Sequence, residues 1–236
     1  MKYNEEKVAV YAGTRNVYPQ MYTALKSIML NTPIDRIYLL IEDDEFPYVI
    51  PENVIPMNMS EQSYFPKGSA NYTNPWSYMA LLKCALSQIL PNEHKVLWLD
   101  VDTIVDKDIS DLFAVDIQAQ YYAAVMEWHK SKDIFRYVNV GVLLCNLDML
   151  RDMGKEYELI AFINNVSMPF PDQTVINLLC QGRTRILEST YNANDYTMYC
   201  FAPKIVHYAA KQNYTEDWLY KKYEAVQFVK GEEKDE

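Results

Sequence analysis

The stretch Val96-Leu97-Trp98-Leu99-Asp100-Val101-Asp102-Thr103-Ile104-Val105 decides how this chain is read. Four apolar residues run into two carboxylates set one residue apart, and apolar residues resume after Thr103. A continuous apolar run bounded by charge is the pattern of a strand buried on both faces. Carboxylates in such a place are costly unless paired, hydrogen-bonded or bound to metal. At the carboxyl end of a buried strand they lie where open α/β sheets bind their ligands. Carboxylate oxygens are hard donors, suited to Mg²⁺ or Mn²⁺. The stretch therefore predicts a divalent cation at a strand end, with a phosphate-bearing ligand on its far side.

Upstream, residues 7–12 read as a first strand and 13–16 as the turn at its end. Residues 18–30 carry apolar side chains at helical spacing (Met21, Leu25, Ile28, Met29), and Asn31-Thr32-Pro33 stops them. Residues 36–41 form a second buried strand. Residues 46–74, rich in Pro, Asn and Ser, predict short strands and loops, and 75–90 a helix. This β-α-β-α-β order implies a parallel sheet with right-handed crossovers. Downstream, the patterning predicts a short helix ending near Phe113, then strands at 121–126 and 138–146. An amphipathic helix over 147–164, a helix over 172–179 and short strands at 186–187 and 205–206 complete the chain. No linker divides it, so residues 1–236 read as a single α/β domain with an acidic tail at about 230–236.

Composition narrows the partners. Half the residues are hydrophobic and 23% are charged, as in an ordinary soluble domain. The net charge of −10 argues against a nucleic-acid surface, which needs a basic stripe. It leaves room for a nucleotide, because one metal and one or two lysines neutralise a pyrophosphate locally. Cys84, Cys145, Cys180 and Cys200 are widely spaced and show no zinc-type pairing. With no signal peptide or membrane-length apolar run, the expectation is free thiols in a reducing cytoplasm.

Two enzyme classes place Asp-x-Asp after an apolar strand. In haloacid-dehalogenase-like phosphatases, Asp100 would be a nucleophile and Asp102 a general acid. That class carries the pattern near its first strand, whereas here 99 residues precede it and the adjacent pair Asp43-Asp44 lies upstream. In nucleotide-sugar glycosyltransferases of the GT-A type, the carboxylates hold Mn²⁺, which stabilises the departing diphosphate.

Several separated blocks together resemble glycosyltransferase family 8, the glycogenin and bacterial lipopolysaccharide galactosyltransferase group. They are residues 11–18 (Tyr-Ala-Gly-Thr-Arg-Asn-Val-Tyr), Lys83, 97–102 (Leu-Trp-Leu-Asp-Val-Asp), 138–142 (Val-Asn-Val-Gly-Val), Asp172-Gln173 with Asn177, and Ile205-Val206-His207-Tyr208. The resemblance implies that Asp100, Asp102 and His207 bind the metal, imidazole being acceptable to Mn²⁺. His94 and His129 have no such match and read as surface or structural. Ala12, Thr14 and Tyr18 match positions that hold uridine, with Tyr18 a candidate to stack on the base. Asn16 could equally cap the following helix. Lys83 matches a basic position on the diphosphate and sugar side. Asn139 and Gly141 match a turn lining the donor sugar, with Val140 in place of a serine. Asp172 and Gln173 match the pair beside the anomeric carbon, where a retaining enzyme needs a nucleophile or a stabiliser of an oxocarbenium ion. Asp172 also reads as a helix cap after Pro171.

The family pattern is altered after His207. Ala210 replaces a glycine, and Asn213 stands at the usual lysine position, so Lys211 is expected to reach the diphosphate instead. The resemblance implies a metal-dependent (Mn²⁺ or Mg²⁺) retaining hexosyltransferase. Its donor would be UDP-glucose or UDP-galactose and its acceptor a saccharide or protein, with no nucleic acid and no strong membrane association. The altered segment keeps open an alternative, a catalytically weak sugar-nucleotide-binding partner protein. The acceptor site is expected from residues 46–74, 108–136 and the C-terminal loops.

Overall fold

Successive side chains of a strand go to opposite faces, and here both faces are covered. In β1 (Val8–Ala12), Val8 and Val10 enter one core while Ala9 and Tyr11 enter the other. The same split divides Val96 and Trp98 from Leu97 and Leu99 in β4 (Lys95–Leu99). This computed structural model describes residues 6–128 and 136–228. His129 and the acidic tail at 230–236 lie outside the described residues.

Strands β2 (Arg36–Ile41), β3 (Val54–Asn58), β6 (Tyr122–Met126), β7 (Val138–Asn146) and β8 (Thr184–Leu187) join β1 and β4 in one sheet. Its order is β3-β2-β1-β4-β7-β6-β8. β7 runs antiparallel to both neighbours, and all other pairs are parallel. A separate two-stranded ribbon pairs β5 (Thr103–Val105) with β9 (Ile205–His207), setting Thr103 opposite His207. Helix α1 (Tyr18–Asn31) covers one face, with Met21, Leu25 and Ile28 fully buried. Each such side chain stabilises by about 1.5–3 kcal/mol relative to leaving it in water. α4 (Ser110–Phe113) lies on the same face. The opposite face carries α2 (Tyr78–Leu81), α3 (Leu86–Ile89), α5 (Leu147–Asp152), α6 (Lys155–Asn165) and α7 (Pro171–Leu179). α8 (Trp218–Glu224) packs with Ile104 and Tyr208 in a third, small cluster.

Two expected helices are interrupted. Residues 75–90 give a loop, α2, a 3₁₀ turn at Leu82–Cys84 and α3, because Ser77 takes φ +76 and Ala85 leaves the helical region at φ −131. Residues 147–164 divide into α5 and α6 at Gly154, whose φ of +61 reverses the chain. Asn16 is not a helix cap: it lies within a 3₁₀ turn at Arg15–Val17, and Val17 precedes α1. Asp172 is not one either, since Phe170 occupies that position before α7.

Strand order fixes where a ligand can sit. The crossover from β1 to β2, through α1, runs over one face and that from β3 to β4, through α2 and α3, over the other, so the sheet has a switch point between β1 and β4. The carboxyl ends of β1, β4 and β6 open there. β7, being antiparallel, delivers its amino end to the same edge, with Leu99 beside Val142.

Candidate active site

A cleft of about 580 Å³ opens at this switch point. Of the residues to which the family resemblance gives a metal, donor or catalytic role, all but Lys83 and Tyr18 line it. Asp100 follows β4 directly; its amide donates to the Gly141 carbonyl at 2.8 Å, and its own carbonyl accepts the Thr103 hydroxyl at 2.7 Å. This tight turn points two carboxylates into the cleft mouth. The β5–β9 pairing brings His207, more than a hundred residues away in sequence, to them.

One ligand atom from each of Asp100, Asp102 and His207 lies within 4.8 Å of the others. His207 Nε2 stands 3.3 Å from Asp102 Oδ1. The other ring nitrogen, Nδ1, is 2.9 Å from Asn192 Oδ1, an acceptor, so Nδ1 carries a proton and Nε2 is the nitrogen left to face Asp102 or a metal. Asn192 is fully buried and donates in turn to Asn139 Oδ1 at 2.9 Å. Burial works against charge on both members of the Asp102–His207 pair. Their mutual attraction outweighs it, holding the Asp102 carboxyl below and the His207 imidazole above their ordinary values. Two carboxylates and an oriented imidazole are the donor set of a Mn²⁺ or Mg²⁺ site, and the residues fit such an ion.

Lys83 lies under the cleft floor rather than in it. It is 1% exposed, and its ammonium donates to Asp100 Oδ1 at 3.0 Å and pairs with Asp172 Oδ2 at 2.8 Å. Trp98 Nε1 donates to the same Asp100 oxygen at 2.7 Å. Burial alone would lower the Lys83 pKa, but the two carboxylates outweigh it and hold the ammonium above its ordinary value. The 3₁₀ turn between α2 and α3 puts this lysine where it ties Asp100 to Asp172.

Gly141 lines the cleft and also packs against His207. A β-carbon there would stand 2.1 Å from His207 Cε1, so the imidazole packs directly on the glycine. Its amide donates to Asn139 Oδ1 at 3.0 Å. Asn139 and Gln173 both donate to Glu127 Oε1 at 3.0 Å. Glu127 follows β6 as Asp100 follows β4, and the sequence reading missed it although the signal, an apolar strand ending in a carboxylate, is the same. Asn192 gave no signal, because its partners arrive only through tertiary structure. Tyr18 is turned away from the cleft: its ring packs on Phe46 at 5.4 Å, and its hydroxyl donates to Asp43 and accepts the Glu42 amide. Ala12 and Thr14 line the cleft at the end of β1, and Lys211 is exposed on its rim. Ala210 sits at φ +63, the left-handed backbone for which a glycine is suited. His94 is on the surface beside Asp148.

The fold and the strand-end Asp-Asp-His cluster define the GT-A class of glycosyltransferases. The family model for Glycosyl transferase family 8 matches residues 10–217, and the chain belongs to that family. The glycosyltransferase GlyA of Streptococcus pneumoniae serotype 4 is 26% identical over 257 residues, 92% of this chain and 35% of that protein. The crystal structure of GlyE from Streptococcus pneumoniae TIGR4 superposes with a TM-score of 0.72 at 23% identity, covering 95% of this chain and 61% of that one. The galactosyltransferase LgtC, solved with donor and acceptor sugar analogs, gives 0.68 at 18% identity, covering 96% and 98%. The chain spans between 24% and 48% of the length of the curated relatives it matches. Family membership displaces the phosphatase alternative.

Proposed function

We propose that this chain is a metal-dependent, retaining hexosyltransferase that moves glucose or galactose from a UDP-sugar to a saccharide or protein acceptor. The observation that carries the reading is the Asp100–Asp102–His207 cluster at the switch point of the sheet. A bound Mn²⁺ or Mg²⁺ would offset the charge that builds on a departing diphosphate. Asn192 keeps His207 in the tautomer that can ligate. Lys83 holds Asp100 and Asp172 in fixed relation and places a positive charge beneath an acidic floor. Lys211, exposed on the rim, is free to swing to a phosphate oxygen.

Ala12 and Thr14 are assigned to the uridine, with Tyr18 supporting that loop from beneath instead of stacking on the base. Asn139, Gly141, Asp172 and Gln173 are assigned to the transferred sugar. Asp172 would act beside the anomeric carbon, as nucleophile or as stabiliser of an oxocarbenium ion. We take residues 1–236 to work as one domain in the cytoplasm, away from nucleic acid and without strong membrane association. The cysteines are free, and no helix among the described residues is long and apolar enough to cross a membrane.

A second reading, sugar-nucleotide binding without turnover, draws on Ala210 and Asn213, which stand where the family pattern has a glycine and a lysine, both at positive φ. UDP release from a panel of UDP-sugars, with and without Mn²⁺, separates the two. Metal-dependent release from one donor, lost in Asp102→Asn, supports the transferase. Metal-dependent UDP binding with no release from any donor favours the second reading. Release that ignores both metal and Asp102→Asn overturns both.

A further inference from the structure

Two aromatic side chains on the cleft wall have no part in the reading above. Trp76 and Phe170 both line the cleft, and each keeps 42% of its surface exposed. Their rings stack 5.9 Å apart, 24° from coplanar. Apolar surface of this size is unfavourable in water, so a fold that holds it open invites a functional reading. The Trp76 indole N–H donates to the Pro169 carbonyl at 3.3 Å, tying the ring to the segment that carries Phe170. Asn74 Oδ1 accepts the Trp76 amide at 2.8 Å. Asn71, 3% exposed, donates to the Ile163 and Val166 carbonyls and accepts the Met168 amide. Ser77, next to Trp76, is held at φ +76, a conformation that side chains other than glycine rarely adopt. Two loops distant in sequence are thus stapled together, with two ring faces side by side.

Position and chemistry select the ligand. Phe170 immediately precedes α7, whose first turn carries Asp172. The wall therefore borders the place proposed for the donor's anomeric carbon, where an incoming hydroxyl must arrive. The metal side of the cleft is charged, whereas this wall offers π faces. A pyranose ring presents C–H bonds on one face, slightly positive, which lie well on the negative face of an aromatic ring while its hydroxyls stay hydrated at the edge. A nucleobase is assigned elsewhere, to the loop after β1. We infer that Trp76 and Phe170 are the platform on which the acceptor's terminal sugar stacks, so that the acceptor is a neutral pyranoside. The inference rests on the transferase reading. Neither residue falls in the segments from which an acceptor site was expected.

The test is binding of methyl glycosides of glucose, galactose, N-acetylglucosamine and N-acetylgalactosamine to protein loaded with UDP and Mg²⁺. Saturation-transfer NMR reads the glycoside, and calorimetry reads UDP. Trp76→Ala, Phe170→Ala and the conservative Trp76→Phe are compared with the unaltered protein. The expected result is that one glycoside binds, that its Kd rises about tenfold in each alanine variant, and that Trp76→Phe stays within about threefold. UDP affinity is unchanged throughout. If Trp76→Ala does not fold, Phe170→Ala, on the other loop, carries the comparison. Equal glycoside binding in the alanine variants overturns the platform and leaves the transferase reading standing. So does the absence of glycoside binding to protein that binds UDP. Failure of the unaltered protein to bind UDP with metal overturns the transferase reading and the platform with it.

Discussion

At Gly141 the space that a side chain would need is filled by the imidazole of His207, with a β-carbon placed 2.1 Å from Cε1. Gly141→Ala must therefore displace the proposed metal ligand His207 while lying outside the proposed ligand set itself. We expect its Mn²⁺ Kd to rise by about tenfold or more, with the thermal unfolding transition retained, as read by electron paramagnetic resonance of free Mn²⁺ and by circular dichroism. Unchanged affinity would mean that His207 is not a ligand. Ala210 makes the opposite case, since its φ of +63 strains any side chain. Ala210→Gly removes a penalty of about 1–2 kcal/mol and adds back about 0.4–1 kcal/mol of unfolded-chain entropy. A net gain of up to about 1.6 kcal/mol should appear in urea unfolding, and a loss would refute the strain. Residue by residue, the Asp100–Asp102 pair was legible because carboxylates ending a buried strand are expensive without a partner, whereas His207 beside them came from the family resemblance. Asn192 was not legible, because its contacts to His207 and Asn139 join positions 15 and 53 residues away.

Among the elements, α6 shows how a buried acid sets a pH dependence. Glu156 in its first turn is 2% exposed and accepts the Ser87 amide at 2.8 Å and the Ser87 hydroxyl at 2.6 Å. Burial pushes its carboxyl up from 4.5 to about 7, against the pull of those hydrogen bonds. The folded state thus holds a proton that the unfolded state loses first. The stabilising contribution is complete below the unfolded value and is lost as pH rises through the folded one, a change of about 3 kcal/mol. Glu156→Gln, which mimics the protonated form, should match the unaltered protein near pH 5 and exceed it in stability near pH 8. A constant difference across that range would contradict the burial argument. The element boundaries that periodicity missed are backbone events. Gly154 divides α5 from α6, and Ser77 delays the start of α2, and neither interrupts the apolar spacing that suggested a single helix.

For the whole molecule, strand order does most to build the site. The parallel β-α-β start was legible from alternating apolar runs and helical spacing, and it predicts a ligand at the carboxyl ends of β1 and β4. That β7 runs antiparallel was not legible, since a strand buried on both faces carries no mark of direction. Yet this reversal brings Asn139 and Gly141 to the same edge as Asp100, and the β5–β9 ribbon closes the cluster with His207. The central claim is that this edge holds a divalent ion which in turn holds a nucleotide. Calorimetric titration of UDP in Mn²⁺ and in EDTA, on the unaltered protein and on Asp102→Asn, tests it most directly. The account predicts UDP binding with Mn²⁺ that is lost both in EDTA and in Asp102→Asn; binding of equal strength in all of these conditions would contradict it.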